Sequence, residues 1–276
     1  MSNASHRINI SAQIPANLLK RTWAGTGLQT SIAILMLVYD KNGLLVSRFS
    51  DIACVPSKSI EGFSGPIPSS ESNVPLSITE NRKHWESLTI PTSYQTQVEV
   101  APGDYRLEFV LTDGEKFGRA TAPVKVDDFN TGDFAISGIA LCKRYRQVAG
   151  EPRPPTQAPQ FIPLVSGGTQ FTPTGDTRFH KGEPFISFFE VNMPQDDNAA
   201  RTMKLQVKIT DIKTGDVKLN SGLEPLNLSF NVGHRSIPVV RKISIDALPA
   251  GLYNLELQVS DSGQKTKWSA ASFTVE

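Results

Sequence analysis

Polar and apolar residues alternate along much of this 276-residue chain, and one alternating stretch occurs twice. In Ala101-Pro102-Gly103-Asp104-Tyr105-Arg106-Leu107-Glu108-Phe109-Val110-Leu111-Thr112-Asp113, an extended backbone puts Tyr105, Leu107, Phe109 and Leu111 on one side. Arg106, Glu108 and Thr112 fall on the other. Leu248-Pro249-Ala250-Gly251-Leu252-Tyr253-Asn254-Leu255-Glu256-Leu257-Gln258-Val259-Ser260-Asp261 repeats the phrase, with Tyr253, Leu255, Leu257 and Val259 inward. Tyr105 and Tyr253 are 148 positions apart, as are Asp113 and Asp261. That spacing fits duplication of a domain; solenoid repeats run to roughly 20–50 residues. One apolar and one wet face marks an antiparallel sheet.

Each copy turns and continues as a second strand, Phe117 to Val126 and Trp268 to Val275, so each predicts a hairpin. A second hairpin precedes it in both halves. Ser31 to Asp40 and Leu44 to Ser50 flank Lys41-Asn42-Gly43, where Asn-Gly supplies the positive φ of a tight turn. Met203 to Asp211 and Val217 to Leu219 flank Lys213-Thr214-Gly215-Asp216. A tyrosine just after a turn, at a strand start, fits the tyrosine corner of immunoglobulin-like sandwiches, whose hydroxyl bonds back to upstream backbone. An amphipathic tyrosine at a strand end fits the same letters.

From Asp40 to Tyr105 the chain runs 65 residues, and from Asp211 to Tyr253 only 42, so the first half carries about 23 more. In this insertion Ser77-Ile78-Thr79-Glu80 matches a capping box, which predicts a helix ended by Pro91. Ser57 to Val74, rich in Ser, Pro and Gly, reads as a loop. A polar turn at Asp127-Asp128-Phe129-Asn130-Thr131-Gly132 marks the domain boundary, after which Phe134 to Cys142 predicts a strand. Residues 147–160, with Pro152, Pro154, Pro155 and Pro159, predict an extended surface loop. Phe185-Ile186-Ser187-Phe188-Phe189 is apolar on both faces, as a central strand would be. The expected fold is all-β, with two tandem immunoglobulin-like antiparallel β-sandwiches. Residues 5–128 form the first, with a short helix inserted at about 57–91, and residues 133–276 the second.

Composition changes little in this picture. Lys and Arg total 28 against 27 for Asp and Glu, a net charge of +1, which offers no footprint for nucleic acid. The longest apolar run, Ile32 to Tyr39, suits a buried strand and falls short of the roughly 20 residues that span a bilayer, so membrane insertion is not expected. No basic region followed by an apolar core opens the chain, and Ser2-Asn3-Ala4 resembles a tag-removal scar as much as a native start. Cys54 and Cys142 fall in different halves, and two unpaired structural thiols are the expectation.

Several motifs resemble the C-terminal β-rich region of the von Willebrand factor A-related proteins of acidobacterial type. They are Tyr39-Asp40-Lys41-Asn42-Gly43 with Arg48-Phe49-Ser50, Val100-Ala101-Pro102-Gly103-Asp104-Tyr105-Arg106-Leu107, Gly118-Arg119-Ala120, Val126-Asp127-Asp128-Phe129 and Ala135-Ile136-Ser137-Gly138-Ile139. Thr172-Pro173-Thr174 and Arg178-Phe179-His180-Lys181-Gly182-Glu183-Pro184 extend the likeness into the second half. The resemblance implies a secreted, periplasmic or cell-surface bacterial protein with β-rich modules behind an A domain. The Asp-x-Ser-x-Ser motif of the A domain is missing from this chain, so metal-dependent adhesion does not carry over.

No residue set points to catalysis, cofactor binding or a metal. His6, His84, His180 and His234 are scattered without ligand spacing. Asp196-Asp197-Asn198 lacks the spaced oxygens of a calcium loop and reads as a hairpin tip. Ser166-Gly167-Gly168 and Gly62-Phe63-Ser64-Gly65 have no phosphate-loop lysine, and Gly-x-Ser-x-Gly does not occur. The expected function is a non-enzymatic binding or spacer module contacting protein or envelope polymer through loops such as 57–74 and 147–160. A carbohydrate-binding module is the alternative, to be recognised by aromatics such as Trp23, Trp85 or Trp268 exposed along one sheet face. The third is an enzyme with a site at the domain junction, which calls for a polar pocket holding His180 or His234 with a buried acid.

Overall fold

The computed structural model describes residues 5–14, 22–24, 27–56, 92–129, 133–148, 162–193, 202–226, 236–262 and 265–276. The chain divides into two units, Met1–Asp127 and Asp128–Glu276. Among the described residues both units are all-β, and no helix occurs that could cross a membrane. The helix expected at 77–91 and the loops expected at 57–74 and through most of 147–160 lie outside the described residues.

Unit 1 contains β1 (His6–Ile14), β2 (Thr22–Ala24), β3 (Gly27–Asp40), β4 (Leu45–Pro56), β5 (Thr92–Val100), β6 (Gly103–Thr112) and β7 (Phe117–Val126). One sheet runs β2-β3-β6-β7 with β4 on the other side of β3, and β1 pairs with β5 in a second sheet. The even positions Ile32, Ile34, Met36 and Val38 of β3 meet Leu107 and Phe109 of β6. Ile14, Val98 and Val100 join them from the second sheet, which makes a two-layered sandwich. The Tyr94 hydroxyl donates 2.8 Å to Asp51, tying β5 to β4 across the layers.

The β3–β4 turn behaves as the Asn-Gly pair predicts. Gly43 has φ +82°, a conformation that costs an L-residue energy even where there is room for a side chain. Asp40 Oδ1 accepts the Asn42 and Leu44 amides, both at 2.8 Å. The Leu44 amide holds the Asp40 carboxyl below the usual carboxylate range. Gly43→Ala is expected to destabilise unit 1 by about 1 kcal/mol, measured by amide exchange across β3 and β4. No loss of protection there would show the turn to be unstrained.

Unit 2 contains β8 (Ala135–Ile136), β9 (Ala140–Gln147), β10 (Leu164–Ser166), β11 (Thr169–Pro173), β12 (Arg178–Phe179), β13 (Ile186–Asn192), β14 (Met203–Asp211), β15 (Val217–Asn220), β16 (Glu224–Leu226), β17 (Ser236–Lys242), β18 (Gly251–Ser260) and β19 (Thr266–Val275). One sheet runs β10-β11-β9-β13-β17, with β8 also on β13. The other runs β12-β19-β18-β14-β15, with β16 also on β14. Phe189 and Val191 of β13 pack against Leu205 and Ile209 of β14 and Leu255 and Leu257 of β18, filling the space between the layers. The strand expected from Phe134 to Cys142 is instead two, β8 and β9. Ser137 interrupts it by trading hydrogen bonds with Glu190: the Ser137 amide donates to the Glu190 carbonyl, and Ser137 Oγ accepts the Glu190 amide, both at 2.9 Å.

The duplication is a duplication of pairing. β1 with β5, β3 with β4 and β6, and β6 with β7 recur as β13 with β17, β14 with β15 and β18, and β18 with β19. Both repeated tyrosines fold back four residues. Tyr105 Oη donates 2.7 Å to the Ala101 carbonyl, and Tyr253 Oη donates 2.8 Å to the Pro249 carbonyl. Glycine two positions before each tyrosine makes room for its side chain: a Cβ at Gly103 would lie 3.3 Å from the Tyr105 hydroxyl, and one at Gly251 would lie 3.4 Å from the Tyr253 ring. This explains why the glycine and the tyrosine recur together, two positions apart, in both copies.

Candidate functional site

In unit 2 the outward positions of β14, β18 and β19 lie on one open sheet face. Alternation puts Met203, Leu205, Val207 and Ile209 in the core, so Lys204, Gln206, Lys208 and Thr210 face away. Strand register then orders these side chains into rows. Gln206 stands opposite Gln258, and Gln258 opposite Trp268. The next row is Asn220, Lys208, Glu256 and Ala270, followed by Thr210, Asn254 and Ser272. Trp268 is 59% exposed, and small Ala270 and Ser272 beyond it on β19 leave the indole flank open.

Polar groups on this face hold one another in place. Gln206 Nε2 donates 2.7 Å to Asn220 Oδ1, and Gln258 Nε2 donates 3.3 Å to Ser260 Oγ. Asn254 Nδ2 donates 3.3 Å to Glu256 Oε1, while Lys208 Nζ lies 3.0 Å from Glu256 Oε2. Lys208 and Glu256 offset each other, exposed Lys204 adds a positive charge at the start of β14, and the two glutamine carbonyl oxygens have no hydrogen-bond partner among the described residues. Such a surface presents an apolar ring edged by neutral amides.

The matching face of unit 1 differs in chemistry. Ile52, Ala33, Thr112 and Phe117 form one row across four strands, with Ile52 68% and Phe117 79% exposed at its ends. Ser50, Leu35, Val110 and Arg119 form the next. Arg119 Nη2 lies 2.9 Å from Glu108 Oε2, and the Arg106 guanidinium sits 4.7 Å from the Tyr39 ring centroid.

An aromatic row lies on the outer side of the other sheet of unit 2. Tyr145, Phe171 and Phe188 follow one another with ring centroids 6.2 and 5.9 Å apart. Thr172 faces Arg144 and Pro173 faces Cys142, so Lys143 is an extra residue, a bulge that returns Tyr145 to the face of Cys142. Phe171 and Phe188 are buried, and the rings are tilted by 32° and 46°, so no flat exposed platform results. The bulge directs the Lys143 ammonium to 4.7 Å from the Phe179 ring centroid and 3.2 Å from Glu183 Oε2, and it donates to the Arg178 carbonyl.

Cys142 is a free, fully buried thiol, and the side chain of Cys54 lies outside the described residues. Burial pushes its pKa up to about 12. Iodoacetamide at pH 8 is therefore expected to leave Cys142 unmodified in the folded chain and to label it after denaturation, read by peptide mass mapping. Rapid native labelling would show that this side of the sheet opens.

His180 lies in an exposed turn, 3.7 Å from Glu276 Oε2, with no buried acid beside it. His84, His234, Trp85 and Asp196-Asp197-Asn198 lie outside the described residues, as does the side chain of Trp23. Ser166-Gly167-Gly168 forms the β10–β11 hairpin turn, with φ +55° and +73° at the glycines. Among the described residues no three His, Cys, Asp or Glu side chains gather to hold a metal. Of the aromatics singled out in the sequence, Trp268 is the one the structure places on an open face. Its amide neighbours had a signal in the outward alternation of β14 and β18, but only strand register brings them together.

No protein-family model matches this chain, and no curated protein sequence does. Solved structures similar to it include a tetra-tandem repeat from the extending region of a large adhesion protein. The identity is 11% and the TM-score 0.21, covering 97% of this chain and 75% of that one. Another is the C-terminal domain of the Streptococcus agalactiae AgI/II polypeptide BspA, at 8% identity and TM-score 0.21, covering 99% of this chain and 93% of that one. At that TM-score neither superposition assigns a feature to this chain.

Proposed function

We propose that this chain is a non-enzymatic binding module built from two tandem immunoglobulin-like sandwiches, part of an extracytoplasmic bacterial protein of the von Willebrand factor A-related kind. The observation that carries the reading is a scaffold repeated with its outer faces changed. Inward residues correspond, as Tyr105, Leu107, Phe109 and Leu111 do to Tyr253, Leu255, Leu257 and Val259. Outward ones diverge: Leu35, Val110 and Arg119 of unit 1 stand where unit 2 has Gln206, Gln258 and Trp268. Packing fixes the first set, and surface contact is free to shape the second.

Immunoglobulin-like topology is supported within unit 2 by β12, which pairs in parallel with β19, and by the tyrosine corner at the start of β18. Unit 1 supplies the protein-contacting face through Ile52 and Phe117, large apolar side chains held in the open on ordered strands. The test is saturable binding of the full chain to an envelope fraction of the source cells, compared with a chain carrying Ile52→Asp and Phe117→Asp. Saturable binding by the parent and its loss in the variant supports the reading. No saturable retention of any envelope protein or polymer by the parent overturns it.

A further inference from the structure

We propose that the outer face of the β12-β19-β18-β14-β15 sheet is a carbohydrate-binding face, centred on Trp268, Gln258 and Gln206. The occupant is a neutral, flat chain of β-1,4-linked, gluco-configured pyranoses. This deepens the binding-module reading above and rests on it, naming a ligand class for unit 2.

Three observations point to that ligand. An indole that is 59% exposed sits on a sheet face, where burying it in the fold would have gained about 2 kcal/mol or more. A gluco-configured pyranose carries its hydroxyls equatorially, so its faces are C–H surfaces that lie flat on such a ring. The amides then stand at the right reach. Adjacent strands are roughly 4.8 Å apart, so Gln258 lies about one strand and Gln206 about two strands from Trp268, in a straight row. Hydroxyls along the edge of a flat chain meet the open carbonyl oxygens of those glutamines and the Asn254 amide. Finally, Lys208 and Glu256, on one side of the amide row, neutralise each other, and Lys204, on its other side, is exposed to water, so an uncharged chain can lie along the row without a counter-charge of its own.

Unit 1 serves as an internal comparison. With the same pairing it places Val110, Leu35 and Arg119 in the equivalent row, so the scaffold does not itself require an amide row with a tryptophan. A protein partner would be met better by the exposed apolar side chains of unit 1 than by a single ring among amides.

The experiment titrates the full 276-residue chain with cellohexaose and, separately, with chitohexaose, to about 10 mM. Nuclear magnetic resonance follows the Trp268 indole N–H and the Gln206 and Gln258 side-chain amides; maltohexaose, a coiled α-linked chain, is the control. The expected result is saturable shifts of those three groups with at least one β-linked probe, and at least ten-fold weaker binding for Trp268→Ala and for Gln258→Ala. Both substitutions are at solvent-facing positions, so an unchanged amide spectrum elsewhere confirms that each variant is folded. No shift with either β-linked probe, equal response to maltohexaose, or binding untouched by Trp268→Ala overturns the proposal. If it fails while Ile52→Asp with Phe117→Asp still abolishes envelope binding, the binding-module reading stands and only the carbohydrate face is lost.

Discussion

Phe273→Ala is expected to destabilise unit 2 by about 3–5 kcal/mol, the range for truncating a fully buried aromatic. Phe273 has no solvent exposure and lies among three rings, with centroids 4.4 Å from Phe185, 5.6 Å from Tyr253 and 6.3 Å from Phe179. These partners come from β12, the approach to β13, and β18, so the cavity would open where both layers of the sandwich meet. Neither layer can close on it without moving a strand. The measurement is hydrogen exchange resolved by mass spectrometry, in which peptides of β18 and β19 lose protection; thermal unfolding of unit 2 should fall by roughly 10 °C. An effect below about 1 kcal/mol would mean that the aromatic cluster repacks and does not hold the layers together.

Tyr253→Phe comes second, at about 1–3 kcal/mol, for a change of one oxygen. Its ring stays packed, but the carbonyl of exposed Pro249 loses its 2.8 Å donor on the side that fully buried Tyr253 covers. Tyr105→Phe removes the equivalent 2.7 Å bond to the Ala101 carbonyl, at a residue that is only partly buried. Water can reach there, so the cost should be about 1 kcal/mol or less. Denaturant unfolding of the two variants separates the readings: a larger loss for Tyr253→Phe identifies the corner as a structural bond of unit 2. Equal small losses would reduce both tyrosines to amphipathic residues at strand ends.

Local alternation carried much of the fold in the letters themselves. β6, β7, β18 and β19, both β3–β4 type turns, and the burial of both faces of β13 followed from period and turn residues, because each depends on neighbours in sequence. β1 had a signal of the same kind, with Ile8, Ile10, Ala12 and Ile14 at every second position. The split of the strand from Phe134 to Cys142 had none, since Ser137 breaks it through Glu190, 53 residues away. The bulge at Lys143 was hidden for the same reason: it exists only relative to β11.

The duplication, the strand alternation, the turns and the neutral charge balance were determined by sequence alone, because they rest on contacts or counts that are local along the chain. Tertiary structure decided which face each row of side chains shares. Gln206, Gln258 and Trp268 are separated by 52 and 10 positions, and become neighbours only through antiparallel register between three strands. Register is set by the fit of the buried faces, and the open face inherits whatever alignment that packing imposes.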